Sequence, residues 1–116
     1  MQSALVSKAA GIYTWSVKGS IAVKFPSEQR REIFYSGHVQ GVGFRYSVCH
    51  LAQRYNVSGF VCNLPDGRVH VVIEGAPKEL RGLSTDIAQK MEHYIRSTKT
   101  GDLDATGEFE GFGIRF

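Results

Sequence analysis

The chain has 116 residues, 42% of them hydrophobic and 22% charged, the size and balance of one globular domain with a single core. A net charge of +3 and a pI near 9.0 do not make it a polycation: Lys8, Lys18 and Lys24 stand in residues 1–27 without an acid and the remainder is neutral, which argues against a nucleic-acid partner. Two cysteines, Cys49 and Cys62, are too few for a disulfide framework or a zinc site, and no apolar run approaches the roughly 18 residues that cross a bilayer.

Residues 1–31 read as an extension ahead of a domain spanning 32–116. Within it Tyr13, Trp15 and Val17 alternate, and after Lys18-Gly19 so do Ile21, Val23 and Phe25. Ile12 to Phe25 is therefore either an accessory β-hairpin or a disordered, loosely docked terminus. Pro26 and the polar run to Arg31 read as a linker. The acid-poor start contains serines but no arginine and no signal-type apolar core, so the cytoplasm is the expected location.

Glu32 to Ser36 has the β-branched and aromatic content of a short strand. It runs into Gly37-His38-Val39-Gln40-Gly41-Val42-Gly43-Phe44-Arg45. From Phe44 the spacing becomes helical: Phe44, Val48, Leu51, Ala52 and Tyr55 share one face, with Asn56 as a stop. Val57 to Leu64 and Arg68 to Glu74 are expected as strands joined by Pro65-Asp66-Gly67, where Pro presets φ, Asp bonds locally and Gly accepts positive φ. In the second strand Val69, Val71 and Ile73 alternate with Arg68, His70 and Glu74, which predicts one buried face and one at least partly wet. Pro77 opens a second helix with Leu80, Leu83, Ile87 and Met91 as its buried stripe, weakened by Gly82. A strand is expected across Tyr94 to Lys99, a polar loop from Thr100 to Thr106, and a short last strand in which Phe112, Ile114 and Phe116 alternate with Gly113 and Arg115. Two helices on one face of a mainly antiparallel sheet bury both helical stripes most simply.

The glycine-rich stretch carries the chemistry. Gly41 and Gly43 let the backbone turn and aim successive N–H groups inward, a nest for phosphate or carboxylate. The helix that follows adds unpaired N–H groups and the positive end of its dipole. Arg45 falls in the first turn, where that dipole disfavours a cation unless an anion is present; its guanidinium offers two parallel donors to an oxyanion. The alternative is a plain tight strand-to-helix turn with a solvated Arg45. Asn63 taken alone reads as a strand-end side chain satisfying a backbone group. His38, His50, His70 and His93 share no metal-binding spacing, and Tyr46 and Ser47 lack an evident activating base.

Two motifs at this separation decide among those readings. Gly37 to Arg45 meets the pattern Gly-x-Val-Gln-Gly-Val-Gly-Phe-Arg, and Gly59, Phe60, Val61, Asn63, Gly67, Val69 and Gly75 meet a second spaced pattern. On these the chain from Glu32 to Phe116, including Gly107-Glu108-Phe109, resembles the acylphosphatases. The resemblance implies an α+β, ferredoxin-like βαββαβ sandwich with a short extra C-terminal strand. It implies hydrolysis of the carboxyl–phosphate bond of acyl phosphates to carboxylate and inorganic phosphate, with no metal, no cofactor and no covalent intermediate. By that likeness Arg45 and Asn63 are catalytic, Asn63 orienting the attacking water. His38, Val39, Gln40, Gly41, Val42, Gly43, Phe44 and Arg45 bind substrate through the loop amides and the guanidinium. Tyr35, where the family usually has an aliphatic residue, and Cys62, where a long or basic residue commonly precedes the asparagine, are departures that concern packing.

The expected protein is a cytoplasmic monomer whose partners are a small acyl phosphate and inorganic phosphate as product and competitor, with neither nucleic acid nor membrane. Two other classes compete: a non-catalytic phosphoanion-binding module that meets a partner through the Trp15 segment, and an RNA-binding domain, a topology relative that lacks the closely spaced surface aromatics that stack bases.

Overall fold

In the computed structural model, the described residues are 28–116, together with the backbone of strands β1 (Ala4–Ala9), β2 (Ile12–Ser16) and β3 (Ala22–Lys24). Those three strands form an antiparallel sheet in the order β1-β2-β3. Ala4–Ala9 is a strand that alternation did not suggest. The turn expected at Lys18-Gly19 and the start of the linker at Pro26 lie outside the described residues.

The elements that follow are β4 (Gln29–Gly37), α1 (Phe44–Ala52), β5 (Val57–Asn63), β6 (Val69–Gly75), α2 (Pro77–Lys90), β7 (Ile95–Asp104) and β8 (Phe112–Arg115). They build a five-stranded sheet in the order β7-β4-β6-β5-β8. Every pairing is antiparallel except β5 with β8, which is parallel. Both helices cover one face, and the core between the layers joins Ile33, Tyr35, Val61, Val69, Val71 and Ile73 of the sheet to the two expected helical stripes.

Local chemistry explains most boundaries. Pro77 occupies the first turn of α2, where its missing N–H costs nothing. At the β5–β6 turn Gly67 has φ 95°, and Asp66 accepts from the Arg68 N–H at 3.1 Å and from Arg68 Nε at 2.9 Å. Those bonds, the Arg68 N–H first, hold the Asp66 carboxyl below its ordinary range.

Three expectations are corrected. Gln29, Arg30 and Arg31, read as linker, begin β4: Arg30 Nε donates to Glu74 at 2.8 Å and Arg31 Nε to Asp102 at 2.9 Å, so partners far along the chain recruit a polar run into the sheet. Helix α1 stops at Ala52, after which Arg54 N and Tyr55 N bond back to Leu51 and Ala52 in turns. Strand β7 runs on through Asp104 instead of ending at Lys99, because the long β4 supplies a pairing partner for each residue to Gln29. The second face of β6 is partly wet as expected, with Arg68 and His70 half-buried, but it closes toward one end, where Val72 and Glu74 are each only 2% exposed.

What covers that face is an aromatic and guanidinium layer. Phe34 stacks on His70 at 4.3 Å, and Phe60 meets both His70 and Phe109 edge-on. Arg68 lies over Phe34 at 4.7 Å and Arg115 over Phe60 at 3.8 Å. At one end the Glu74 carboxylate accepts from Thr106 N and Gly107 N, both at 2.9 Å, and from Arg30. Burial alone would raise its pKa, but these hydrogen bonds outweigh burial and hold it below the ordinary 4.5.

Candidate active site

The cradle forms where β4 hands over to α1. Strand β4 closes with His38 N donating to Tyr94 O at 2.9 Å. Gly41 and Gly43 then sit at φ 79° and 76°, and a Cβ on either would meet nothing within 4 Å. Their glycine identity therefore answers to backbone conformation and not to crowding. Gly43 is the N-cap of α1 and supplies no side-chain cap. The first intrahelical donor is Ser47 N, to Gly43 O at 3.0 Å, so the N–H groups of Phe44, Arg45 and Tyr46 precede the helix ladder.

The alternating side chains anchor this backbone. Val39 and Phe44 are buried at 0% and 2% exposure, and Val42 packs against the same core. The Gln40 amide donates to Leu64 O at 2.8 Å and to Arg68 O at 2.9 Å, clamping the loop to the β5–β6 hairpin. That clamp places the turn beside the end of β5, where Asn63 pairs in register with Val69.

A cavity of about 110 Å³ results, lined by Val39, Gly41, Gly43, Phe44, Arg45, Tyr46 and Asn63. The motifs' two named side chains, 18 positions apart in sequence, thus share one small space. His38, Gln40 and Val42 do not line it: His38 is exposed and Gln40 is occupied by its clamp. The Asn63 side-chain oxygen is buried and accepts no hydrogen bond from another protein group among the described residues. The Arg45 guanidinium lies 5.0 Å from the Phe116 ring, and no ion pair among the described residues engages it.

Neither Cys62 nor Tyr35 stands as an activated nucleophile beside the cavity. Burial pushes the Cys62 thiol up, against the opposing effect of Arg115 and Arg45. Tyr35, despite its hydroxyl, fills the core at 1% exposure against Phe44; burial raises its pKa far beyond the neutral range. Among the described residues no group of three or more His, Cys, Asp or Glu could hold a metal ion. Sequence reasoning missed Gln40 as a clamp and Tyr46 as a wall, for neither role has a local signature.

Comparison with known proteins gives a consistent result. The family model described as acylphosphatase matches residues 31–114. The chain is similar to an acylphosphatase of Syntrophus aciditrophicus, 37% identical over 89 residues that cover 76% of this chain and 93% of the relative. It is 55% identical over 47 residues to one of Trichormus variabilis, covering 40% of this chain and 46% of that relative, so this match spans about half of the relative's length. The same holds for relatives from Nostoc and Synechococcus, of which 46% and 55% are covered. Among solved structures, the acylphosphatase of Bacillus subtilis superposes with a TM-score of 0.69 at 26% identity, over 76% of this chain and 99% of that one.

Proposed function

Because this chain belongs to the acylphosphatase family, hydrolases acting on acyl phosphates, we propose that it hydrolyses the carboxyl–phosphate bond in the cavity shared by Arg45 and Asn63. The observation that carries the reading is the convergence of Arg45 and Asn63, from the two motifs, on one small cavity walled by the Gly41 and Gly43 turns.

The mechanism follows from charge and position. Backbone N–H groups of the loop and of the first turn of α1, with the Arg45 fork, hold the phosphoryl oxygens. Asn63 accepts a hydrogen bond from the attacking water and orients it toward phosphorus. The water oxygen bonds to phosphorus, the bond from phosphorus to the bridging oxygen breaks, and its electron pair leaves with the carboxylate. A phosphoryl oxygen of the substrate takes up the water's proton. A carboxylate is a good leaving group, so no general acid is required, and the loose transition state calls chiefly for alignment and charge stabilisation. No cofactor enters this scheme.

Inorganic phosphate is then both product and competitor. The unpaired Cys49 and Cys62 support action in the reducing cytoplasm, where the protein acts as a monomer. No described helix is long and apolar enough to cross a membrane. The test is release of phosphate from a simple acyl phosphate by the purified chain with a strong chelator present. Release that disappears in Arg45→Ala is expected. Equal release by that variant, or activity that chelation abolishes and metal restores, refutes the proposal.

A further inference from the structure

The two halves of the site hang on different parts of the fold. The cradle is fixed from below: Val39 and Phe44 are buried in the core, Gly43 caps α1, and the loop starts at the bond from His38 N to Tyr94 O. Asn63 is the last residue of β5, paired with Val69, and the chain turns immediately beyond it. No protein hydrogen bond among the described residues fixes its side-chain oxygen. The position of that oxygen therefore follows the backbone of the strand end. One side chain bridges the halves. Gln40 engages both hydrogens of its amide with the turn, donating to Leu64 O at 2.8 Å and to Arg68 O at 2.9 Å. Leu64 directly follows Asn63, and Arg68 directly precedes its partner Val69. Among the described residues no other hydrogen bond joins residues 38–43 to the β5–β6 hairpin.

The turn does not need Gln40 to close. Leu64 O also accepts from Gly67 N at 3.1 Å, and Arg68 O from Leu64 N at 2.8 Å, so each carbonyl keeps a backbone donor without the amide. What the amide adds is a brace between loop and strand end. We propose that Gln40 is a positioning residue: it acts on the reaction through Asn63, holding the water-orienting side chain at a set distance from the phosphoryl group, and takes no part in binding the phosphate. This rests on the acyl phosphate reading of the cradle. Gln40 does not line the cavity, and its two N–H donors, the groups that could meet a phosphoryl oxygen, are both in use. Attack on phosphorus tolerates little error in this distance, since a misplacement of about 1 Å costs on the order of 10²-fold.

The test replaces Gln40 with methionine, which keeps the length and bulk of the side chain and removes both donors, in the full chain and in its Asn63→Ala variant. Because both carbonyls keep a backbone donor, Gln40→Met is expected to fold and to melt close to the wild type. With acetyl phosphate its kcat should fall roughly 10–100-fold, while the inhibition constant of inorganic phosphate changes less than about twofold. In the Asn63→Ala background the same substitution should change kcat by less than about twofold, the non-additivity of residues that act as a unit. An unchanged kcat, a phosphate affinity that falls in step with kcat, or losses that multiply in the double variant overturns the proposal. Should Gln40→Met not fold, Gln40→Asn, one methylene too short to span both carbonyls, is read by the same measures; failure of both to fold makes Gln40 a stability residue and overturns the proposal. Amide resonances of the ¹⁵N-labelled chains supply a readout besides activity. Those of Gly43 and Arg45 should match between wild type and Gln40→Met, while the Asn63 side-chain amide shifts; an Asn63 resonance that stays in place overturns the proposal. A wild type that releases no phosphate from acetyl phosphate counts against the hydrolase reading alone, since the resonances still decide whether Gln40 holds Asn63.

Discussion

Replacing Asn63 with alanine separates chemistry from folding. Asn63 lines the cradle cavity and its side-chain oxygen accepts no hydrogen bond from a described protein group, so Asn63→Ala breaks no protein hydrogen bond made by that oxygen. The stability cost is confined to lost packing and to the water the amide holds, about 1 kcal/mol, so the variant should melt close to the wild-type temperature. Catalysis should fall much further. Losing one preorganised group that acts on the reacting atoms lowers kcat by on the order of 10²-fold, about 2.7 kcal/mol. In the proposed mechanism Arg45 and the loop amides hold the phosphate, so KM and inhibition by phosphate should change little, the pattern of an interaction made mainly in the transition state. Asn63→Asp should be worse, since a carboxylate beside the cradle repels the incoming phosphate and raises KM as well. The assay is steady-state kinetics with a chromophoric acyl phosphate, paired with thermal unfolding of the same samples. A variant that melts far below the wild type with kcat intact would make Asn63 a structural strand-end residue. One that raises KM alone would make it a substrate-binding residue and move the water elsewhere.

Arg45→Ala should abolish phosphate binding and turnover together, while Arg45→Lys retains a weak residue of each, because lysine keeps the charge and loses the fork; phosphate inhibition constants check this. Glu74→Gln should destabilise the fold by about 1–3 kcal/mol at neutral pH, since it removes the buried charged partner of Arg30 Nε while Glu108 still pairs with Arg30 Nη2. The Glu74 pKa is depressed, so its contribution is fully present above the ordinary 4.5 and is lost as pH falls through the lower folded value; denaturant titrations across that window should show wild type and variant converging in acid. Gly82→Ala, which helix propensity alone would favour by about 1 kcal/mol, should instead destabilise, because its Cβ would stand 2.5 Å from Tyr55 Cε1 and the Tyr55 hydroxyl is tied to Asp86; in a Tyr55→Ala background the same change should stabilise, as melting temperatures will show. Deleting residues 1–27 should leave an active domain, since β4 begins at Gln29; a large fall in kcat/KM or in melting temperature would show that the extension supports the site.

Much of this molecule is written locally. The helical stripes from Phe44 and Leu80 and the alternation of Val69, Val71 and Ile73 follow from the repeat of each backbone form, and all these side chains are buried in the common core. Gly41, Gly43 and Gly67 answer to positive φ at single positions, and Pro77 to the first turn of a helix, so each turn is legible from its own residues. The two motifs place Arg45 after the turn and Asn63 at a strand end, and the residues between them count out the rest. Tertiary structure decided what depends on distant pairs. Glu74, placed by alternation on a face at least partly wet, is buried because Arg30 and the Thr106–Gly107 backbone close over its carboxylate. Thr100 to Asp104 carries no apolar period, and becomes strand because β4 is long enough to pair with it. Gly82 looks like a flaw in a helix until the Tyr55 ring is seen against it. The cavity itself belongs to this second class: the Gln40 clamp on Leu64 and Arg68 sets the distance between turn and strand end, and hence the space that the Asn63 oxygen shares with Arg45.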